Sequence, residues 1–182
     1  MKQFLTPFLL LIFITSPSVA MQSKQYDLLK AIEDKNVTEV KKLLKEGVSP
    51  NTRTYSEGIP ALIVAARSGH AEILELLLKN GARPDIATRD RRETALMIRS
   101  FSRNSRLVKI LLDNKADPDR VDRSNETALI KAARARQFKN VQLLIEAGAD
   151  PTIQDLTGKS ALDYAVINRS RRIVSLLEKA GA

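Results

Sequence analysis

The sequence predicts an all-α solenoid: five helix-turn-helix repeats stacked in one row and joined by β-turn fingers. Three observations predict it. Like residues recur every 33 or 34 positions, as in Gly47, Gly81, Lys115, Gly148 and Gly181. Each unit holds two short helical patterns, the second with apolar residues at i, i+1, i+4 and i+5, such as Ile73, Leu74, Leu77 and Leu78. Gly and Pro punctuate the units at matching places. One helix pair cannot cover its own apolar face. Stacked pairs cover each other, so a period of this length implies a quasi-linear stack.

The chain opens with a leader. In residues 1–20, MKQFLTPFLLLIFITSPSVA, Lys2 is a short positive region, Phe8 to Ile14 is unbroken apolar sequence, and Ser18-Val19-Ala20 is a small-residue cleavage pattern. A secretory signal peptide cut after Ala20 is expected, with a periplasmic or secreted product. Initiation at Met21 would make the product cytoplasmic instead. The apolar run is shorter than the roughly 20 residues that a spanning helix needs.

Residues 21–182 form the repeat domain, with units at about 24–53, 54–88, 89–121, 122–154 and 155–182. Within a unit, a leucine opens the first helix (Leu28, Leu62, Leu96, Leu129, Leu162), and three residues later comes Ala31, Ala65, Ala132 or Ala165, with Arg99 in the third unit. In the second unit, Pro60 to Ser68 is the first helix, stopped by Gly69. Ala71 to Asn80 is the second, closed by Gly81 in a left-handed conformation. Pro84 prevents continuation, and Pro50, Pro118 and Pro151 repeat that stop. Turn-rich segments such as Asp155-Leu156-Thr157-Gly158 lead into the next unit.

These residues resemble the ankyrin repeat. Its pattern of a T-P-L-H-x-A-A-x-x-G-H helix and an L-L-x-x-G-A ending is matched by Pro60-Ala61-Leu62-Ile63-Val64-Ala65-Ala66-Arg67-Ser68-Gly69-His70 and Leu77-Leu78-Lys79-Asn80-Gly81-Ala82. It returns as Thr127-Ala128-Leu129-Ile130-Lys131-Ala132-Ala133 and Leu144-Ile145-Glu146-Ala147-Gly148-Ala149. The resemblance covers Tyr26 to Ala182. The Thr-Pro pair is mostly replaced, and the third repeat is degenerate. Glu178 stands where the last unit would have its second leucine, which suits an uncovered end. The sequence ends directly after the last helix, so no appended catalytic domain is expected.

Composition narrows the chemistry. The 182 residues include 30 Lys+Arg, 21 Asp+Glu, one His and no Cys, for a net charge of +9. Without Cys there is no disulfide framework, thiol nucleophile or zinc ribbon. His70 falls at the family's Gly-His position, where a structural hydrogen-bonding role is implied. No nucleophile elbow or phosphate-binding glycine loop is present. Enzymatic activity, a metal site and a cofactor are therefore not expected.

The basic excess is concentrated. Residues 83–139 hold 15 Lys+Arg and 8 Asp+Glu. The column that ends each first helix reads Lys35, Gly69, Arg103, Arg136 and Arg169, a basic ladder expected along one edge. Cations there complement helix C-termini, and they also suit an anionic surface. The resemblance implies a concave partner surface, built from the ends of the first helices and the finger tips. On it fall Arg67, Phe101, Arg134, Ile167 and Asn168, together with Arg91 and Arg123. Phe101 among arginines is the central candidate, since aromatics and Arg are common anchors.

Repeat three breaks most rules. Arg99 takes a packed alanine's place, Arg92 replaces a turn glycine and Lys115 a terminal one. It is expected to be the soft centre of the stack.

The function expected is a non-catalytic, secreted protein-binding module, an accessory or regulatory factor whose partner has an acidic surface. It is expected to be monomeric, with no transmembrane segment and no small-molecule substrate. The alternatives are an anionic surface (nucleic acid or membrane) bound by repeats three and four, or a host-directed effector. Nucleic acid is disfavoured, because only five aromatics follow residue 20.

Overall fold

A computed structural model describes residues 17–182. The signal-peptide expectation falls largely outside the described residues. The first described helix begins at Pro17 and runs past Ala20 without a break.

The described residues form ten helices in five pairs: α1 (Pro17–Glu33), α2 (Val37–Lys45), α3 (Ala61–Ser68), α4 (Ala71–Lys79), α5 (Ala95–Ser100), α6 (Ser105–Asp113), α7 (Ala128–Arg134), α8 (Phe138–Glu146), α9 (Ala161–Ile167) and α10 (Arg171–Lys179). The first helices of the pairs lie side by side in one layer, and the second helices form another.

Capping explains the first-helix boundaries. Thr94, Thr127 and Ser160 each accept a hydrogen bond from the backbone N–H three residues on, which pairs an otherwise orphaned donor. Pro60 occupies the same place before α3 without a side-chain bond. At the end of α4, Gly81 takes φ 90°. Lys115 takes φ 65° at the matching position, strained for a residue with a Cβ.

The core is the stacked apolar columns. Leu28, Leu62, Leu96 and Leu129 are fully buried, as are Ala65, Ala132 and Ala165. Arg99 interrupts that alanine column and is only half-buried. Its Nη1 donates to Ala66 O at 3.3 Å, while its buried Nε has no partner.

Side chains join successive repeats at a regular interval. Asn51 accepts from Arg83 N–H, Asp85 from Asp117 N–H, and Asp119 from Asp150 N–H, at 2.8–2.9 Å. The finger tips join as well. Arg123 N–H donates to Arg91 O and Leu156 N–H to Ser124 O, both at 3.0 Å.

Lys35, Gly69, Arg136 and Arg169 are left-handed, but Arg103 is not. The amide of Asn140 reaches in from α8 and donates to Ser100 O and Ser102 O at 2.8 and 2.7 Å. Repeat three therefore closes its first helix through the next repeat, with no left-handed residue. The Nδ1 of His70 is buried and has no hydrogen-bond partner.

Candidate functional site

A cleft of about 780 Å³ opens between the first-helix layer and the finger tips of repeats two to four. Its rim is basic. Arg67 ends α3, Arg134 ends α7, and Arg91 and Arg123 stand on neighbouring fingers, all exposed. Phe101 follows α5 and is 52% exposed, a large apolar surface inside a charged ring.

The floor is different. Lys131 lies on α7, in the register that an exposed Lys30 and then Val64, Ile98 and Tyr164 occupy in the other repeats. Its side chain is only 7% exposed, and its Nζ lies 2.7 Å from Asp122, 2.9 Å from Glu126 and 3.4 Å from Glu93. Arg134 forks onto both carboxylate oxygens of Glu126. The lining thus holds five cations and four carboxylates, with Asp90 the fourth. It is mixed in charge, where the sequence alone suggested a basic face.

Burial on its own would push the Asp122 carboxyl up. The Lys131 hydrogen bond and the N–H groups of Glu126 and Ser124 outweigh it and hold this carboxyl below its usual range. Burial would likewise lower Lys131, but its bonds to Asp122 and Glu126 win and raise it. Both groups are therefore charged at neutral pH, and the floor is a fixed, pre-organised polar surface.

Of the seven concave residues expected from sequence, Arg67, Arg91, Phe101, Arg123 and Arg134 line this one cleft. Ile167 and Asn168 stand one repeat further on. Ile167 is exposed, and Asn168 ties its repeat to the previous one by donating to Arg134 O at 2.9 Å. Sequence reasoning missed Lys131, Asp122 and Glu126. The available signal was a lysine in the middle of the stack, in a column that is otherwise apolar after Lys30 of the first repeat.

The ladder residues Lys35, Arg103, Arg136 and Arg169 are exposed at the turns between paired helices, away from the finger tips. Among the described residues, no group of three or more His, Asp or Glu is placed to hold a metal ion. The Lys131 ammonium occupies the centre of the one tight carboxylate cluster on the floor. No described helix is long and apolar enough to cross a membrane.

A family model for ankyrin repeats (three copies) matches residues 9–88, 28–122 and 96–182. No relative matches among curated proteins.

Proposed function

Since the chain belongs to the ankyrin repeat family, we propose that it is a protein-binding module whose partner seats over Phe101 in the cleft of repeats two to four. The family is typically a non-catalytic scaffold, and we read this member in the same way. The single observation that carries the reading is the exposed aromatic ring inside a ring of arginines above a rigid polar floor. Anchors of this type supply most of the binding energy in protein interfaces.

The mixed lining sharpens the expected partner. It would offer an apolar side chain to Phe101 and carboxylates to Arg67, Arg91 and Arg123, with polar groups near the floor. Rim cations of this kind raise association rates and make them sensitive to salt. The leader-like residues 1–20 support an exported location, and hence a partner in the cell envelope or outside it.

The test is capture from an envelope extract of the source cell. The wild-type protein would be compared with a Phe101→Ala, Arg67→Glu, Arg91→Glu variant, which leaves Lys131 and its partners intact. A protein held by wild type and lost by the variant supports the cleft. Equal recovery by both removes it from consideration.

A further inference from the structure

The turns between paired helices in repeats three to five form a basic strip that holds no carboxylate of its own, with Glu178 beside Arg169 and Arg171 at its far end. Two columns supply its cations: Arg103, Arg136 and Arg169 in the turns, and Arg106, Lys139 and Arg172 in the first turns of α6, α8 and α10. All six are exposed, and none forms an ion pair among the described residues. Residues 99–112, 127–145 and 164–177 contain no Asp or Glu. Repeats one and two differ, with Glu33, Asp34, Glu39 and Glu72 at the same edge.

Three features at this strip work against folding stability. The first turns of α6, α8 and α10 carry no acidic residue, whereas those of α2 and α4 carry Glu39 and Glu72. Cations there oppose the positive end of the helix dipole. Arg136 and Arg169 hold φ 57° and 53°, in the column where Gly69 sits at 74° without strain. Like charges also repeat along one line. Helices packed side by side are separated by about 8–10 Å, so the strip extends for roughly 20 Å across three repeats.

The two electrostatic features, cations at helix N-termini and like charges in a row, become favourable when anions lie against the strip. Helix N-termini and guanidinium groups are both suited to phosphate oxygens. In repeats four and five, Arg136, Arg169, Arg171 and Arg172 line one hollow of about 310 Å³ together with Ser170, whose buried hydroxyl has no partner.

We propose that this strip docks on an anionic phospholipid surface. Its form favours a bilayer over nucleic acid. The strip consists of blunt turns and helix ends, with no helix or ribbon projecting to enter a groove. It also lacks a stacking platform, because Phe138 has the Arg172 guanidinium 4.2 Å from its ring centroid. A row of exposed cations on a rigid stack is what an anionic leaflet attracts. The strip is distinct from the cleft, and the two can be occupied together.

Vesicle sedimentation of the full chain tests this. Vesicles of phosphatidylcholine alone would be compared with vesicles containing about one third phosphatidylglycerol, at low and at physiological salt. Wild type should bind the anionic vesicles at least about tenfold better, with the difference shrinking in salt. An Arg136→Gly, Arg169→Gly, Arg172→Ser variant should lose most of that preference while melting no lower than wild type, since two of its changes relieve left-handed strain. Arg106→Gln with Lys139→Gln, at ordinary helical positions, should show a smaller loss. An Arg67→Glu, Arg91→Glu cleft variant should keep the preference. Equal binding to both vesicles, or binding to neither, would overturn the proposal. Unchanged binding by the strip variants, or displacement from vesicles by duplex DNA through these same residues, would also overturn it.

Discussion

Lys131 Nζ and Asp122 Oδ2 stand 2.7 Å apart on the floor of the cleft, with each side chain less than one-tenth exposed. A lysine buried this deeply is tolerated only because its charge is met by carboxylates. Glu126 and Glu93 complete the set. The pair also holds the finger of repeat four against α7, and so sets the shape of the surface offered to a partner.

Lys131→Met should therefore be strongly destabilising, because it leaves Asp122 buried without a counter-charge and leaves Glu126 with Arg134 alone. The expected loss is about 3–5 kcal/mol at neutral pH, read from urea unfolding. At about pH 3 the deficit should shrink as the Asp122 carboxyl, no longer held down by Lys131, protonates. A variant as stable as wild type at pH 7 would show that the ion cluster contributes nothing.

Stability should fall at both ends of the pH scale. Burial acts to raise Asp155, but the Tyr164 and Thr157 hydroxyls and the N–H groups of Lys159 and Thr157 outweigh it and hold the carboxyl well below its usual range, as Asp122 is held. Carboxyls with lowered folded values stabilise the fold above their unfolded pKa of about 3.9 and lose that contribution as pH falls through the folded value. Lys131 is raised in the fold. Its contribution is complete below its unfolded pKa of about 10.4 and is lost as pH rises through the folded value. The melting temperature should be level from about pH 5 to 9 and drop on either side. Asp155→Asn should lower it at pH 7 and flatten the acid limb. A melting temperature unchanged at about pH 2 would contradict this account.

Lys115→Gly should stabilise the protein. Lys115 holds φ 65° where Gly47, Gly81, Gly148 and Gly181 hold 86–92°. Removing the Cβ relieves strain of about 1 kcal/mol, offset in part by the greater entropy of unfolded glycine. The gain should appear as a higher urea midpoint with an unchanged slope.

Repeat three should open most readily. Arg99 leaves a buried Nε unpaired, and the turn after α5 depends on Asn140. In hydrogen exchange, the amides of α5 should be less protected than those of α3 and α7. Asn140→Ala should widen that gap and lower stability by about 1–3 kcal/mol, because two carbonyls lose their donor. Equal protection across the repeats would remove the idea of a soft centre.

The repeat period, the helix pairs, the leucine and alanine columns and the left-handed glycine positions were all legible in the residues. These features arise from contacts within one unit, repeated, and side-chain periodicity reports them directly. The tertiary structure decided what lies between units. Glu93 and Lys131 are 38 residues apart, and only the register of adjacent repeats brings them together on the floor. Asn140 bonds a turn 38 to 40 residues earlier, where Arg103 is the one residue of its column that is not left-handed. The cleft's carboxylates, invisible in a count of excess arginines, come from fingers and helices of successive repeats. Periodicity is a short-range signal. Pairing between side chains of neighbouring repeats depends on the distance and direction that stacking alone supplies.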